Sequence, residues 1–232
     1  MKFKRILLKL SGESLSCGFG IDKNRCECVS RSVKKCLDLG LEVAIVVGAG
    51  NFWRGRSGTD VSRIRSDQMG MLATTMNAIC LSDFLERFGI KSLVQSSVEI
   101  SGVVRKFSLD DTLKSLKEHK VIIFSFGIGE PFFSTDTCAS LRACEIGADA
   151  VLKATNIDGI YSSDPKIDKG AKKYDLVSFD EVLQKKLNVM DMTSISLCRE
   201  NNIPILIFKF EDIERVVKGE KVGSMISNCV FK

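Results

Sequence analysis

The feature of this sequence that most constrains its fold is a series of short apolar runs separated by segments of helical character. The apolar runs cover residues 6–10, 43–47, 91–94, 121–126, 150–152 and 205–208. Between them, apolar residues recur at helical spacing in residues 29–39, 69–88, 112–116, 138–146, 182–187 and 195–198. Strands that are apolar throughout and alternate with helices are typical of a parallel sheet covered on both faces. The pattern predicts an α/β fold, a three-layer αβα sandwich around a mainly parallel central sheet.

The chain is expected to form a single domain spanning residues 1–232. A hydrophobic content of 44% is sufficient for one large core, and the three prolines mark no linker between independent domains. Ser178 followed by Glu181, and Ser108 followed by Asp111, predict two helix starts. Within the domain we expect two functional halves, about 1–120 and about 121–232, that carry separate ligand platforms.

The composition argues against several classes of protein. The nine cysteines are odd in number and include no CxxC pair, which favours reduced thiols over a disulfide framework. His119 is the only histidine, and Cys26-Glu27-Cys28 has no second pair nearby, so no zinc site is expected. Lys9 interrupts an apolar N-terminal stretch too short for a signal sequence or a membrane span, which predicts a cytoplasmic protein. The net charge of +5 suits an anionic ligand or an ordinary solvated surface, and is too diffuse for a nucleic-acid-binding arm.

Two predicted strands end in glycine-containing turns that suit an anion. Lys9 closes the first strand and is followed by Ser11 and Gly12, while strand 43–47 runs into Gly48-Ala49-Gly50-Asn51-Phe52-Trp53-Arg54-Gly55. Open α/β sheets bind ligands at the carboxyl ends of their strands, where glycines let backbone N–H groups approach a phosphate. Lys9 and Arg54 would add positive charge. A structural turn with a solvated cation is the alternative for each motif, and neither matches GxxxxGK[ST] or GxGxxG.

A third strand end, in residues 127–136, combines glycines, aromatic walls and a helix start. Gly127 and Gly129 allow close backbone approach, and two phenylalanines between them and the helix offer apolar walls. The positive end of the helix dipole could then face a phosphate. The alternative is that Thr135 or Asp136 only caps the helix.

Residues 153–165 form the most specific stretch. Lys153 stands at a strand end, a turn follows at Asp158, and Tyr161 comes shortly before Asp164. This combination suits an adenine and its ribose, and the alternative is a simple hairpin turn.

Six segments, in this order, resemble the successive motifs of the bacterial UMP kinases of the amino acid kinase family. They are Lys9-Leu-Ser-Gly-Glu, Gly48-Ala-Gly-Asn-Phe-Trp-Arg-Gly, Asp67-Gln-Met-Gly-Met-Leu-Ala-Thr, Gly129-Glu-Pro-Phe-Phe-Ser-Thr-Asp, Lys153-Ala-Thr-Asn-Ile-Asp-Gly-Ile-Tyr and Val189-Met-Asp. The likeness extends from residue 3 to about residue 226, although the first and fifth segments also suit aspartokinase, glutamate kinase and carbamate kinase. The resemblance implies the amino-acid-kinase fold and transfer of the ATP γ-phosphate to UMP, giving UDP and ADP in pyrimidine nucleotide biosynthesis.

The same resemblance implies the site residues. The ATP side would comprise Lys9, Leu10, Ser11, Gly12, Gly50, Arg54, Lys153, Thr155, Tyr161 and Asp164. The UMP side would comprise Ala49, Asp67, Ile128, Gly129, Glu130, Pro131, Phe132, Phe133, Ser134 and Thr135. The catalytic group would be Lys9, Arg54, Asp136 and Asp191, with the two carboxylates orienting Lys9 and positioning the Mg²⁺ that accompanies ATP. The phosphate of UMP is already an anionic nucleophile, because its second pKa is about 6, so no general base is expected.

The resemblance also implies a homohexamer, inhibition by UTP and activation by GTP. The sequence departs from the family pattern at Ala49, at Glu130 and in a shortened loop after Glu13 that contains few polar groups. A triphosphate needs several donors or cations to replace its water, so GTP activation is expected to be weak or absent, with Arg105 as one remaining cation. The alternatives are another small-molecule kinase of the same family and a non-catalytic nucleotide-sensing module. The second would be expected to lack a charged group at the transfer point.

Overall fold

The computed structural model describes residues 3–53, 60–165, 167–187 and 189–228. The strands in these residues are β1 (Arg5–Leu10), β2 (Glu42–Val47), β3 (Ser92–Ser96), β4 (Arg105–Lys106), β5 (Val121–Ser125), β6 (Ala150–Thr155), β7 (Ile160–Tyr161), β8 (Lys173–Tyr174), β9 (Leu176–Ser178), β10 (Ile205–Lys209) and β11 (Ser224–Ser227). The helices are α1 (Lys23–Asp38), α2 (Arg63–Arg87), α3 (Leu109–Lys117), α4 (Thr135–Ile146), α5 (Phe179–Gln184), α6 (Met192–Glu200) and α7 (Ile213–Val217). Short 3₁₀ helices cover Gly12–Leu15 and Phe210–Asp212.

Nine of the strands form one central sheet in the order β4-β3-β5-β2-β1-β6-β10-β11-β9. Neighbouring strands run parallel, apart from the antiparallel pair β10 and β11. Strands β7 and β8 form a separate antiparallel pair. The predicted fold class is confirmed: each apolar run forms a strand, and each segment of helical spacing lies in or overlaps a helix.

The sheet is buried on both faces because the side chains of each strand alternate between two apolar layers. Ile6, Leu8 and Leu10 of β1 pack in the layer formed with α1, α2 and α7. Leu7 points to the opposite layer, which is formed with α3, α4, α5 and α6. Lys9 has the same parity as Leu7, so its side chain lies on the α4 face of the sheet.

The parallel direction of the central strands brings the predicted motifs together. The carboxyl ends of β1, β2, β5 and β6 lie at one edge of the sheet, and the glycine-containing turns start from the first three of them. Lys9 on β1 is in register with Lys153 on β6, which places the two lysines side by side. Two residues separated by most of the chain therefore become neighbours.

The two predicted helix starts are confirmed. Ser178 caps α5, since its Oγ accepts from Glu181 N at 3.1 Å, and Ser108 caps α3, since its Oγ accepts from Asp111 N at 3.3 Å. The division into functional halves near Val121 stays a prediction.

Two further observations bear on the class of protein. In the part of the chain that the structure describes, no helix is long and apolar enough to cross a membrane. The eight cysteines of that part are all free thiols.

Candidate active site

Two lysines and one aspartate form the centre of the site. Lys9 Nζ lies 2.7 Å from Asp136 Oδ1, and Lys153 Nζ lies 2.8 Å from Asp136 Oδ2. The three side chains are 10–14% exposed, so solvent screens the charges only weakly. Lys153 Nζ also donates to Val189 O at 2.5 Å. The cluster of two cations and one anion carries a net positive charge at the edge of the sheet.

Burial and the neighbouring charges act in opposite directions on the pKa values of this cluster. Burial disfavours the Asp136 carboxylate, but the charges of Lys9 and Lys153 and their hydrogen bonds outweigh it and hold the pKa below its usual value. Burial lowers the pKa of Lys153, and Asp136 opposes that change. Asp136 is therefore ionised at neutral pH and unsuited to accept a proton from a substrate.

Ser134 fixes the start of helix α4, which carries Asp136 in its first turn. Its Oγ accepts from Asp136 N at 3.0 Å and from Thr137 N at 3.3 Å. The alternative that Thr135 or Asp136 caps this helix is therefore wrong. With Ser134 as the cap, the carboxylate of Asp136 is available to the two lysines.

Asp191 lies beside the cluster and joins the starts of two helices. It caps α6 by accepting from Ser194 N at 2.9 Å. Its carboxylate also accepts from Thr137 Oγ1, at 2.9 and 3.0 Å, and from Ser134 Oγ. Its contacts are thus with hydroxyl and amide donors of α4 and α6, whereas the direct partner of Lys9 is Asp136.

The turns after β1 and β2 approach each other so closely that a side chain at Gly12 is excluded. A Cβ atom added there would lie 2.3 Å from Asn51 Oδ1 and 2.6 Å from Gly50 N. Among the described residues, the N–H groups of Ala49 and Gly50 donate to no backbone carbonyl. Backbone donors at the end of a strand, near a lysine pair, are suited to phosphate oxygens.

A small cleft of about 120 Å³ opens between α2 and the segment after β5. Its lining comprises Ala49, Ser66, Asp67, Gly70, Met71, Thr74, Gly127, Glu130, Phe133, Ser134 and Thr135. Six of these residues were predicted for the acceptor side, namely Ala49, Asp67, Glu130, Phe133, Ser134 and Thr135. Gly70, Met71 and Thr74 belong to the Asp67–Thr74 segment, but the sequence reasoning did not assign them to the acceptor side. Their spacing from Asp67 along α2 is a signal that could have done so.

Asp67 connects the start of α2 to the segment after β5. Its Oδ2 accepts from Arg63 Nε at 2.7 Å and from Phe132 N at 2.8 Å. The guanidinium of Arg63 lies 5.5 Å from the centre of the Phe132 ring. Phe132 has a φ of 73°, a left-handed conformation that is rare for a bulky residue and that this contact with Asp67 stabilises.

The remaining predicted residues of the acceptor side flank the cleft without lining it. Gly129 has a φ of 94°, and a Cβ atom there would lie 3.1 Å from Ser97 Cβ. Ile128 packs against the apolar layer on the α4 face, and Pro131 directly precedes Phe132. These residues belong to the segment after β5 but do not line the cleft.

The predicted nucleoside side follows β6. Thr155 Oγ1 donates to Ile157 O at 2.7 Å, and Tyr161 OH donates to Asp158 Oδ1 at 2.8 Å. The Tyr161 bond, followed by Lys173, lowers the pKa of Asp158. Asp164 O accepts from the backbone N–H groups at the start of the next turn. The turn at Asp158 leads from β6 of the central sheet into β7, which pairs instead with β8. The segment is therefore not a simple hairpin, because the strands before and after the turn belong to different sheets.

Arg54 lies outside the described residues. Within the described residues, no three His, Cys, Asp or Glu side chains are grouped as a metal site would require.

The carboxyl edge of the sheet gathers a buried lysine pair, glycine turns and an adjoining cleft, an arrangement that is suited to phosphate-bearing ligands. The chain belongs to the amino acid kinase family, whose model matches residues 4–209. The resemblance predicted from the sequence motifs is thereby confirmed.

Three solved structures are similar to this chain over nearly its whole length. The UMP kinase from Bacillus anthracis has a TM-score of 0.95 at 32% identity, over 98% of this chain and 97% of that one. The UMP kinase from Ureaplasma parvum has a TM-score of 0.90 at 33% identity, over 98% of this chain and 100% of that one. The uridylate kinase from Archaeoglobus fulgidus is more distant, with a TM-score of 0.73 at 25% identity, over 98% and 100%.

Proposed function

We propose that this chain is a UMP kinase that transfers the γ-phosphate of Mg²⁺·ATP to UMP. The observation that carries the proposal is the Lys9–Asp136–Lys153 cluster, whose aspartate directly follows the cleft residues Ser134 and Thr135 at the start of α4. The names of the similar solved structures support UMP as the acceptor. A non-catalytic nucleotide-sensing module is disfavoured because the charged residues at the transfer point are all retained.

The cluster supports the reaction by electrostatic stabilisation and positioning. In phosphoryl transfer the charge is spread over the equatorial oxygens of the transferred group, so fixed cations lower the barrier without covalent chemistry. Lys9 and Lys153 supply such charge, and Asp136 aligns both ammonium groups. We assign a further positive charge to Arg54, and phosphate contacts to the backbone around Gly12 and Gly50.

The two nucleotides occupy opposite sides of this cluster. For ATP we retain Lys9, Leu10, Ser11, Gly12, Gly50, Arg54, Lys153, Thr155, Tyr161 and Asp164. For UMP we retain Ala49, Asp67, Ile128, Gly129, Glu130, Pro131, Phe132, Phe133, Ser134 and Thr135. Mg²⁺ enters with ATP as part of the substrate. The carboxylate of Asp191 accepts hydrogen bonds from the hydroxyls of Ser134 and Thr137. We propose that it contacts the ion through water, because Mg²⁺ usually keeps several of its water ligands.

The proposal is tested by a coupled assay of ADP release. UMP, CMP, dUMP, AMP, aspartate, glutamate and carbamate are compared as acceptors with Mg²⁺·ATP. We expect kcat/KM for UMP to exceed that of every other acceptor by about 10-fold or more. Higher turnover of aspartate, glutamate or carbamate would identify another small-molecule kinase of the family, and no turnover of any acceptor would favour the sensing module.

Replacing Asp67 by asparagine is expected to weaken UMP binding selectively. The carboxylate borders the cleft, and a charged acceptor forms stronger hydrogen bonds with ribose hydroxyls than an amide oxygen does. KM for UMP should rise about 10-fold while KM for ATP stays nearly constant. Asp83→Asn, on the exposed side of the same helix, is the matched control. Equal rises in both KM values would contradict the assignment.

We propose that UTP inhibits the enzyme by occupying the acceptor cleft and that GTP activates it weakly or not at all. Inhibition by UTP should be competitive with UMP, because both ligands would use Asp67 and the 129–135 segment. Arg105 lies on a wide cavity of about 700 Å³ beside β3 and α3, where three lysines are offset by the carboxylates of Glu86, Asp111 and Glu118. Titration with GTP at subsaturating ATP checks the second expectation. A saturable rise in rate that disappears in Arg105→Ala would contradict it.

We propose a homohexamer in the cytoplasm. An exposed apolar stripe on α2 supports assembly, since Met69, Leu72, Met76 and Ile79 share one helix face and are 41–53% exposed. Covering such a stripe with a second copy would remove it from water. Light scattering after size-exclusion chromatography should give six times the 25.6 kDa mass of the chain.

A further inference from the structure

Two buried asparagine side chains join the turn after β2 to helix α2. Asn51 follows Gly50 in that turn and Asn77 lies in the interior of α2, and the two residues are 2% and 0% exposed. Asn51 Nδ2 donates to Asn77 Oδ1 at 2.9 Å, and Asn77 Nδ2 donates to Asn51 Oδ1 at 2.8 Å. The two carboxamides therefore form a closed, reciprocal pair.

The second hydrogen of each amide group is also used. Asn51 Nδ2 donates to Gly20 O at 2.8 Å, and Asn77 Nδ2 donates to Gly48 O at 2.8 Å. Each side chain thus makes two donor bonds and accepts one bond. Aspartate lacks the donors and leucine lacks donors and acceptor, so neither replacement satisfies this pattern. The two carbonyl acceptors also fix the orientation of both amides.

The pair lies directly against the turns that the proposed function assigns to the phosphates of ATP. Asn51 Oδ1 occupies the space into which a side chain at Gly12 would project, at 2.3 Å from a Cβ atom built there. Asn51 O also accepts from Gly20 N at 2.9 Å, which ties in the loop after the first motif. The amide of Asn51 therefore sets the separation of the turns after β1 and β2.

Helix α2, which carries Asn77, also holds the acceptor side. One turn before Asn77, Thr74 Oγ1 accepts from Phe126 N at 2.8 Å, and at the start of the helix Asp67 accepts from Phe132 N at 2.8 Å. The same rigid helix is thus bonded to the phosphate turns and to the acceptor cleft. A shift of α2 relative to β1 and β2 would change the distance between the two substrates.

We propose that Asn51 and Asn77 are positioning residues that hold the phosphate turns at a fixed distance from the acceptor helix. The proposal rests on the proposed phosphoryl transfer. Neither side chain needs to touch a nucleotide. The pair acts through the geometry of the groups that do, and misplacement of reacting groups by about 1 Å lowers turnover on the order of 100-fold.

The test is a cycle of Asn51→Ala, Asn77→Ala and the double variant, with kcat and both KM values measured. Each single variant should lower kcat by about 10- to 100-fold and change KM for ATP and UMP by less than about threefold. Because the two amides act as one unit, the double variant should lose little more than either single variant.

Thr112→Val is the matched control, because it also removes a buried side-chain hydrogen bond, from Thr112 Oγ1 to Gln95 Oε1 at 2.6 Å, which joins α3 to β3 rather than α2 to the turns after β1 and β2. Thermal unfolding checks that every variant is folded at the assay temperature, and Asn51→Ser and Asn77→Ser replace any alanine variant that is not. Three outcomes would each overturn the proposal. The loss of kcat could be no larger than that of Thr112→Val, the effects of the two single variants could add in the double variant, or the KM values could rise as much as kcat falls. If the wild type itself did not turn over UMP, the proposed function would be wrong. This outcome is distinguished from failure of the positioning proposal because it requires no variant.

Discussion

Replacing Lys9 by alanine should lower kcat on the order of 100-fold or more while the protein remains folded. The Lys9 ammonium is one of two cations paired with Asp136, at 2.7 Å, and its loss leaves Lys153 and Asp136 as a neutral pair. The net positive charge of the Lys9–Asp136–Lys153 cluster then disappears. Since a fixed cation interacts most strongly with the charge that develops in the transition state, kcat should fall more than KM for ATP rises.

Lys35→Ala is the control for the general effect of removing a lysine. Lys35 forms an ion pair with Glu214 at 2.6 Å on the outside of α1, remote from the sheet edge. Its replacement should leave kcat unchanged, because Lys35 lies outside the proposed site. The fold should also be little affected, because exposed ion pairs contribute little to stability. A folded Lys9→Ala variant with near-normal turnover would exclude Lys9 from the catalytic group, and the cluster would then be a structural feature of the β1–β6 pair.

The central sheet could be predicted from the sequence because its inner strands are buried on both faces. Such strands are mostly apolar, and β1, β2, β5, β6 and β10 all carry this pattern, which only Lys9 and Lys153 interrupt within β1 and β6. The short strands β4, β7, β8, β9 and β11 were missed. They contain two to four residues, several of them polar, and their pairing depends on tertiary contacts rather than on local pattern.

The site was only partly predictable for a related reason. The sequence indicated that Lys9, Asp136 and Lys153 matter, but nothing local shows that β1 and β6 are neighbours. Their register places Lys9 next to Lys153, and only then can one carboxylate bind both lysines. The sequence predicted that Asp136 and Asp191 together orient Lys9. The structure gives Asp191 a different set of contacts, at the starts of α4 and α6.

The asparagine pair illustrates a signal that sequence reasoning passed over. An asparagine in a turn, such as Asn51, is common and needs no special explanation. An asparagine in the interior of a 25-residue helix is less expected, because Asn is a weak helix former. Asn77 is buried there in a helix that otherwise presents small or apolar residues to the sheet. A buried polar group at such a position requires a partner, but the sequence does not identify which one.

Replacing Asp136 by asparagine should reduce both stability and turnover. The carboxylate is the only described anion that forms an ion pair with Lys9 and Lys153, and without it two neighbouring ammonium groups would share a buried site. Removing one partner of a buried ion pair typically costs about 3–5 kcal/mol. The same loss frees both lysines to move away from the phosphates, so kcat should fall on the order of 100-fold. Chemical unfolding and the coupled assay measure the two effects.

The pH dependence separates this account from general-base catalysis. The pKa of Asp136 is lower in the folded protein than its ordinary value of about 3.9, so the ionised carboxylate stabilises the fold above that pH. This contribution disappears as the pH falls through the lowered pKa. The difference in free energy of unfolding between the wild type and Asp136→Asn should therefore be constant from neutral pH to about pH 5 and shrink below about pH 4. Asp180→Asn, which removes an exposed partner of Arg199, should show no comparable difference. If the wild type had an acidic limb in its kcat profile near neutral pH and Asp136→Asn lacked it, Asp136 would have to be a proton acceptor, and its assignment as a charge that aligns the two lysines would be wrong.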